Sequence, residues 1–307
     1  MNKNHTKACL LISSLTLISS INAFAQSSLL VPIDVSLGLS ERQDSLNWSI
    51  AGSNVNILSE LEWSQLHIRQ IQANATVHLP QHLNLAIDIQ RGSIYSGKNT
   101  DSDYNGNNRT LPFSRATGKG GGKVNDWSIG LGKEFIVAQT IHITPSIGWS
   151  QHQQNLTMTQ GLQIIPDEAP YYGAFSGLNN SYNTQWQGMW LGITGQIALA
   201  RQLTLSTNIK YHKADYAAAA NWNLRNEFMH PLSFEHYAKG LGRDAAVTIS
   251  YLASARTTLQ FLMQYQKWQT SIGQDNTYFL TGTTLTYVLN HVNWRSQSYG
   301  LSLLYKF

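Results

Sequence analysis

The chain has 307 residues, with 21 Lys and Arg against 17 Asp and Glu, one cysteine, nine Trp, 14 Tyr and nine Phe. So even a charge balance gives no basis for a nucleic-acid partner, which needs a concentrated cationic surface, and a lone cysteine excludes internal disulfides. This many aromatics at a mean hydropathy slightly below zero suit a sheet closed round a wet interior between aromatic girdles, and suit a soluble β-sandwich as well.

The N-terminus reads as a secretory signal peptide over 1–25. Lys3 and Lys7 precede a largely apolar run over 8–21, and Ala23-Phe24-Ala25 is a small-x-small cleavage site. The run is shorter than the roughly 20 residues that a spanning helix needs. Residues 26–307 are then one mature domain. Cys9 lies in the leader, so the mature chain has no thiol, no cysteine metal site and no lipoprotein attachment point. No later segment holds 18 consecutive apolar residues, which leaves strands as the means of crossing a membrane.

Ten segments alternate apolar and polar residues, the period that sends successive side chains to opposite faces. Each has the roughly nine to eleven residues of a tilted transmembrane strand. The first carries Ile33, Val35, Leu37 and Leu39. The second runs over about 58–79, with Leu61 and Trp63, then Ile71, Ala73, Ala75, Val77 and Leu79 on one face. The third shows Leu83, Leu85, Ile87 and Ile89, the fourth Trp127, Ile129, Leu131 and Phe135, and the fifth Ile141, Ile143, Ile147 and Trp149. Met189, Leu191, Ile193, Ile197 and Leu199 mark the sixth, and Leu203, Leu205, Ile209 and Tyr211 the seventh. Ala245, Val247, Ile249 and Tyr251 mark the eighth, and Leu259, Phe261, Met263 and Tyr265 the ninth.

Connections alternate between tight and long. Tight ones fall near 80–82, 137–139, 200–202 and 253–256; long polar ones fall near 43–57, 97–124, 157–185, 213–243 and 270–297. Tight turns belong at the periplasmic end of an outer-membrane barrel and long loops at the cell surface. In the second loop, Lys119 and the three glycines before Lys123 lack the strand–glycine–helix context of a phosphate loop and read as flexible loop-tip chemistry.

The tenth segment sets Tyr299, Leu301, Leu303, Tyr305 and Phe307 against Ser298, Gly300, Ser302 and Lys306. A terminal aromatic on such a strand resembles the signal that outer-membrane barrels present to their assembly machinery. The predicted fold is therefore an all-β, ten-stranded antiparallel transmembrane barrel with long extracellular loops, integral to a bacterial outer membrane.

Ten strands, the segment Ser59-Glu60-Leu61-Glu62-Trp63 and the motif Asp101-Ser102-Asp103-Tyr104 resemble the omptin family of outer-membrane aspartyl endopeptidases. The stretch around 101–104, together with Ala220-Asn221-Trp222-Asn223-Leu224-Arg225, is closer to the Protochlamydia-type outer membrane proteins, an omptin-like group. The resemblance implies two acidic residues at one rim of the barrel, facing an Asp and a His at the other, around an activated water. Asp101 and Asp103 match the first pair, and a close carboxylate pair can share a proton; the same residues also suit an ordinary turn. The family's Asp-x-His falls near Asn221-Trp222-Asn223, where neither Asn titrates near neutral pH. A shifted partnership would draw on His212 with Asp215, or on His230 or His236.

The resemblance also implies lipopolysaccharide as a partner beside outer-membrane lipid, with Arg91, Lys98, Arg109 and Lys267 as candidate phosphate contacts. Glu60, Glu62, Asp88, Glu134, Lys210 and His212 are expected inside the barrel, where ten strands leave room for a plug of ion pairs such as Glu134 with Lys210 rather than a channel. Three functions follow: a surface barrel that binds through its loops, an omptin-type endopeptidase with a shifted His/Asp pair, and a small-solute pore. The first is favoured, with no cofactor, no metal and the extracellular ligand unidentified.

Overall fold

The computed structural model describes residues 31–166 and 172–307; the predicted leader, 1–25, lies outside them. Among the described residues, ten strands close one antiparallel ring. They are β1 (Ile33–Ala51), β2 (Ser59–Leu79), β3 (Leu83–Tyr104), β4 (Pro112–Lys133, continued by Phe135–Ala138) and β5 (Ile141–Ile165). There follow β6 (Gly173–Ala200), β7 (Leu203–Asn221), β8 (Phe234–Leu252), β9 (Thr257–Thr270, continued by Gly273–Tyr278) and β10 (Thr284–Lys306). Each strand pairs with its chain neighbours, and β10 returns to β1, from Asp34 opposite Lys306 to Ala51 opposite Val288. Closure removes the unpaired edges that lipid could not hydrogen-bond.

Near the tight turns the apolar set faces outward, as the period predicts. Leu37, Leu39, Ile71, Leu191, Ile209 and Leu301 are 61–68% exposed, while Ser36, Asn74, Thr194, Ser206 and Ser302 line the inside. An exposed belt so apolar is stable where lipid, not water, touches it. Charged side chains end the belt on successive strands, with Glu41, Arg69 and Arg91 pointing out one pleat above it.

The strands do not stop there. β1 has 19 residues and β6 has 28. At about 3.3 Å per residue, 19 residues reach about 60 Å, or about 45 Å in height at a barrel tilt near 40°, against a hydrocarbon core of about 30 Å. The sheet therefore stands as a wall outside the lipid. Most of what the sequence marked as long loops is this wall. The connections shrink to 52–58, 105–111, 222–233 and 279–283, with a further one between β5 and β6. Gly120, Gly121 and Gly122 are wall as well, not a loop tip. A Cβ on Gly122 would stand 1.9 Å from the Asn155 carbonyl oxygen, so the glycine permits close strand approach at a φ of 127°.

Within the wall the faces exchange chemistry. Water now surrounds the outside, so apolar burial drives side chains inward. Leu46, Trp48, Trp63, Leu66, Ile68, Tyr182, Trp186, Trp268 and Trp294 are all buried there. Trp63 stacks on Tyr182 at 5.3 Å, and Trp268 on Trp294 at 5.5 Å. This upper storey is packed with side chains. Between it and the lower storey, Arg42 Nε and Nη2 donate to Asp44 at 2.7 and 2.6 Å, and Nη1 donates to Asp126 at 2.6 Å.

A bulge in β2 makes the exchange there. The pairing with β3 slips between Ser64 and His67, and Gln65 adopts a φ of 51°. One extra residue moves every later side chain to the other face. Leu61 and Trp63, expected to share a face with Ile71, lie inside at 1% and 0% exposure, whereas Ile71 faces out. Glu60 and Glu62 are correspondingly not interior: Glu62 is exposed, and Glu60 accepts from Tyr104 and Arg109. Asp88, Lys210 and His212 do line the interior. Glu134 does too, but it pairs with His142 at 2.8 Å rather than with Lys210, whose ammonium sits 4.5 Å over the Trp190 ring.

Candidate functional site

Asp101 and Asp103 stand near the outer end of β3, directly opposite Leu61 and Ser59 of β2. Two apart on a strand, they share a face, and the β2 bulge fixes that face as the inner one. Ser102, between them, points outward and meets Arg115. The pleat thus places both carboxylates in the barrel mouth.

What faces them comes from the β7–β8 connection. Trp222 Nε1 donates to Asp101 Oδ2 at 3.3 Å, and Arg225 Nη2 lies 3.8 Å from Asp103 Oδ2 while its Nη1 lies 3.7 Å from Glu227. The connection is held by its asparagines. Asn223 accepts from the Asn179 amide and donates to the Gly177 carbonyl, its own amide donates to Asn180, and Asn221 meets His230 Nδ1 at 2.7 Å. The Trp222 amide donates to Ser233 Oγ at 2.9 Å. Asn221 and Asn223 are therefore fasteners, and the residues they present to the acidic pair are Trp222 and Arg225.

A groove of about 380 Å³ opens beside the pair, walled by Met158, Phe175, Leu178 and Trp222, with Asp101 and Arg225 at its margin. Burial, with the Asp103 charge beside it, pushes the Asp101 carboxyl up to about 7, against the pull of the Trp222 N–H and Arg225. The Asp101 carboxyl therefore adds its negative charge to the mouth only as pH rises through neutrality. That electrostatics suits a cationic group, and the indole face adds an aromatic surface for it.

The candidate histidines do not join this groove. His212 lies in the lower storey, with Nδ1 3.1 Å from Ser150 Oγ and its ring 4.6 Å from Trp268. Asp215, three residues on and so on the opposite face, is exposed and paired with Lys239. The strand separates the two. His230 is exposed in the connection. His236 is buried with both ring nitrogens occupied, Nδ1 by Tyr182 at 2.8 Å and Nε2 by Asp275 at 2.7 Å. Sequence reading missed Trp222, Arg225 and the His236–Asp275 pair. The available signal was a lone tryptophan between two asparagines just past the alanine run 217–220. Among the described residues, no three His, Cys, Asp or Glu gather closely enough to hold a metal ion.

The family model described as Protochlamydia outer membrane protein matches residues 36–307. No curated protein matches the chain. Among solved structures, the outer membrane protease OmpT from Escherichia coli is similar at a TM-score of 0.75 and 14% identity, over 92% of this chain and 99% of that one. The translocator domain of the autotransporter NalP from Neisseria meningitidis aligns at a TM-score of 0.39 and 11% identity, over 95% of this chain and 94% of that one.

Proposed function

The chain belongs to the Protochlamydia outer membrane protein family, and from that premise we propose that this integral outer-membrane barrel works at the cell surface by binding a cationic group in its mouth, without cleaving peptides. The observation that carries this reading is the partner of the acidic pair. Activated-water hydrolysis needs a base near its working pH and groups to receive the developing charge. Trp222 has no titrating proton and Arg225 stays charged, so Asp101 and Asp103 face a donor and a cation where a His–Asp pair would stand. Arg225 itself marks the acidic pole as one that accepts a guanidinium.

A protease reading draws on the similarity to OmpT, a likeness of fold at this identity. It would require His212 and Asp215 to meet, from opposite faces of β7, and then to reach the groove, or else His236 to leave the buried contacts with Tyr182 and Asp275 that occupy both its ring nitrogens.

Outer-membrane lipid surrounds the belt, and lipopolysaccharide fits as a further partner. Lys213, Lys239, Arg243 and Lys267 line one groove on the outside of β7, β8 and β9, beside Leu241. Anionic headgroup phosphates would meet this cluster, which lies one pleat above lipid-facing Tyr211, Ala245 and Tyr265. Of the cations nominated from sequence, Lys267 is in it, whereas Arg91 donates to Asn125 and Arg109 pairs with Glu60. Phe307, the proposed mark for assembly, is 74% exposed at the end of β10.

The binding reading is tested with a fluorescent dibasic peptide and purified barrel in micelles containing lipopolysaccharide. Saturable binding that Asp101→Asn weakens supports it. Binding indifferent to both Asp101→Asn and Asp103→Asn would overturn it.

A further inference from the structure

Inside the lower storey, on the other side of the aromatic packing from the mouth, lies a cavity of about 290 Å³ lined by Asp126, His152, Trp190, Lys210, His212 and Asp244 among others. A second space of about 420 Å³ shares Asn84, Asp88, Gln90, Thr144, Thr194 and Leu262 with it and reaches Asp34, His78 and Glu134 at the tight-turn end. The two form one chamber that runs up from the periplasmic end and stops below the tryptophans.

Five buried atoms lining this chamber have no hydrogen-bond partner among the described residues. Three are Asp126 Oδ1 and the two ring nitrogens of His152, whose Nδ1 lies 3.3 Å from that oxygen; the other two are Nε2 of His212, which is 2% exposed, and Oδ1 of Asp244, which is 6% exposed. The opposite ends of these last two side chains are held. His212 Nδ1 meets Ser150 Oγ, and Asp244 Oδ2 accepts from Gln264 at 2.8 Å. Ser150 Oγ can accept from Nδ1 or donate to it; in the tautomer with the ring proton on Nδ1, Nε2 is an acceptor, and one donor can serve it and Asp244 Oδ1 together. His212 pairs with Gly242 and Lys210 with Asp244, so His212 and Asp244 are diagonal neighbours on one face, their Cα atoms roughly 7–8 Å apart. An unmet buried acceptor of this kind costs free energy that a donor recovers.

Charge selects the donor. Asp88, Asp126 and Asp244 line the chamber against Lys210, and the neighbouring Arg42 is divided between Asp126 and Asp44. Carboxylates are in excess, and the Lys210 ammonium lying over Trp190 indicates that this wall accommodates a cation. We propose that the chamber binds a small organic cation of the primary-amine type, taken from the periplasmic side, with its ammonium shared between Asp244 Oδ1 and His212 Nε2. This is a second site, independent of the mouth.

The test is tryptophan fluorescence of the folded barrel in detergent, titrated at constant ionic strength with propylammonium chloride, 1-propanol and sodium propionate, three probes of one size and different charge. A saturable change with propylammonium alone is expected, weakened about tenfold, the worth of one charged hydrogen bond, in Asp244→Asn or His212→Phe. Heat-modifiable mobility identifies which variants are folded. An equal response to propanol or propionate, the lack of a saturable response, or a response unchanged in both variants would overturn the proposal. A response abolished by Asp101→Asn rather than by these two would place it at the mouth, and would likewise overturn it.

Discussion

The indole N–H of Trp222 reaches Asp101 Oδ2 at 3.3 Å from 121 residues away in the chain, and this contact, rather than one from a histidine, faces the acidic pair. It donates to a carboxyl that burial has already made a weaker acid, so the protonation of Asp101 becomes the variable on which the mouth turns.

Asp101 sits at about 7 in the folded barrel, above its ordinary 3.8. A raised acid holds an extra proton in the folded state between those values, so any stability tied to it is greatest at low pH and falls as pH rises toward 7. Affinity for a cation moves the other way and increases through pH 7. Titrating peptide binding from pH 5 to 9 should show that rise, and Asp101→Asn should flatten it. Trp222→Phe removes a contact that holds the carboxyl down, so the rise should shift to higher pH.

The lipid-facing set of β7 gives a test of the barrel. Ile209 is 61% exposed in the belt, and Leu205 shares its face. Leu205→Arg should cost about 2–4 kcal/mol by equilibrium unfolding in lipid, whereas Ser206→Arg, which points into the chamber, should cost less. The reverse order would put the wrong face in lipid.

The wall outside the membrane has a core of the soluble kind. Trp63 is wholly buried and stacked on Tyr182. Trp63→Ala should lower stability by about 3–5 kcal/mol, while Glu62→Ala, one residue away but exposed, should stay within about 0.5 kcal/mol. Urea unfolding of the two variants checks both.

Phe307 closes the ring's last strand, its amide donating to Ile33 at 2.9 Å. If assembly machinery reads its side chain, deleting the residue should reduce the folded, heat-modifiable barrel recovered from outer membranes. Unchanged recovery would remove Phe307 from that role.

The ten-strand ring was legible because a greasy alternate face repeats without interruption from Ile33 to Leu39, and again in each later strand near the turns. The wall was not, for a physical reason. Above the belt the outward face is polar and the inward face holds aromatics spaced by Ser, Gln and Asn, a pattern that reads as loop when lipid is assumed to surround it. Leu61 and Trp63 keep the period yet change sides at a bulge that only Gln65 marks. The acidic pair was legible as a local motif. Its partners were not, since Trp222 and Arg225 meet it through the closure of the ring, and a strand reading assigns no orientation to a residue beyond the strand's end.

The most direct measurement is a cleavage assay on dibasic peptides with purified barrel and lipopolysaccharide, run beside Asp103→Asn and His212→Ala. With Trp222 and Arg225 facing the carboxylates, the peptide should be bound by the unaltered chain and recovered intact in every sample. Robust cleavage by the unaltered chain that disappears in both variants would contradict a binding mouth and establish a catalytic pair drawn from the two storeys.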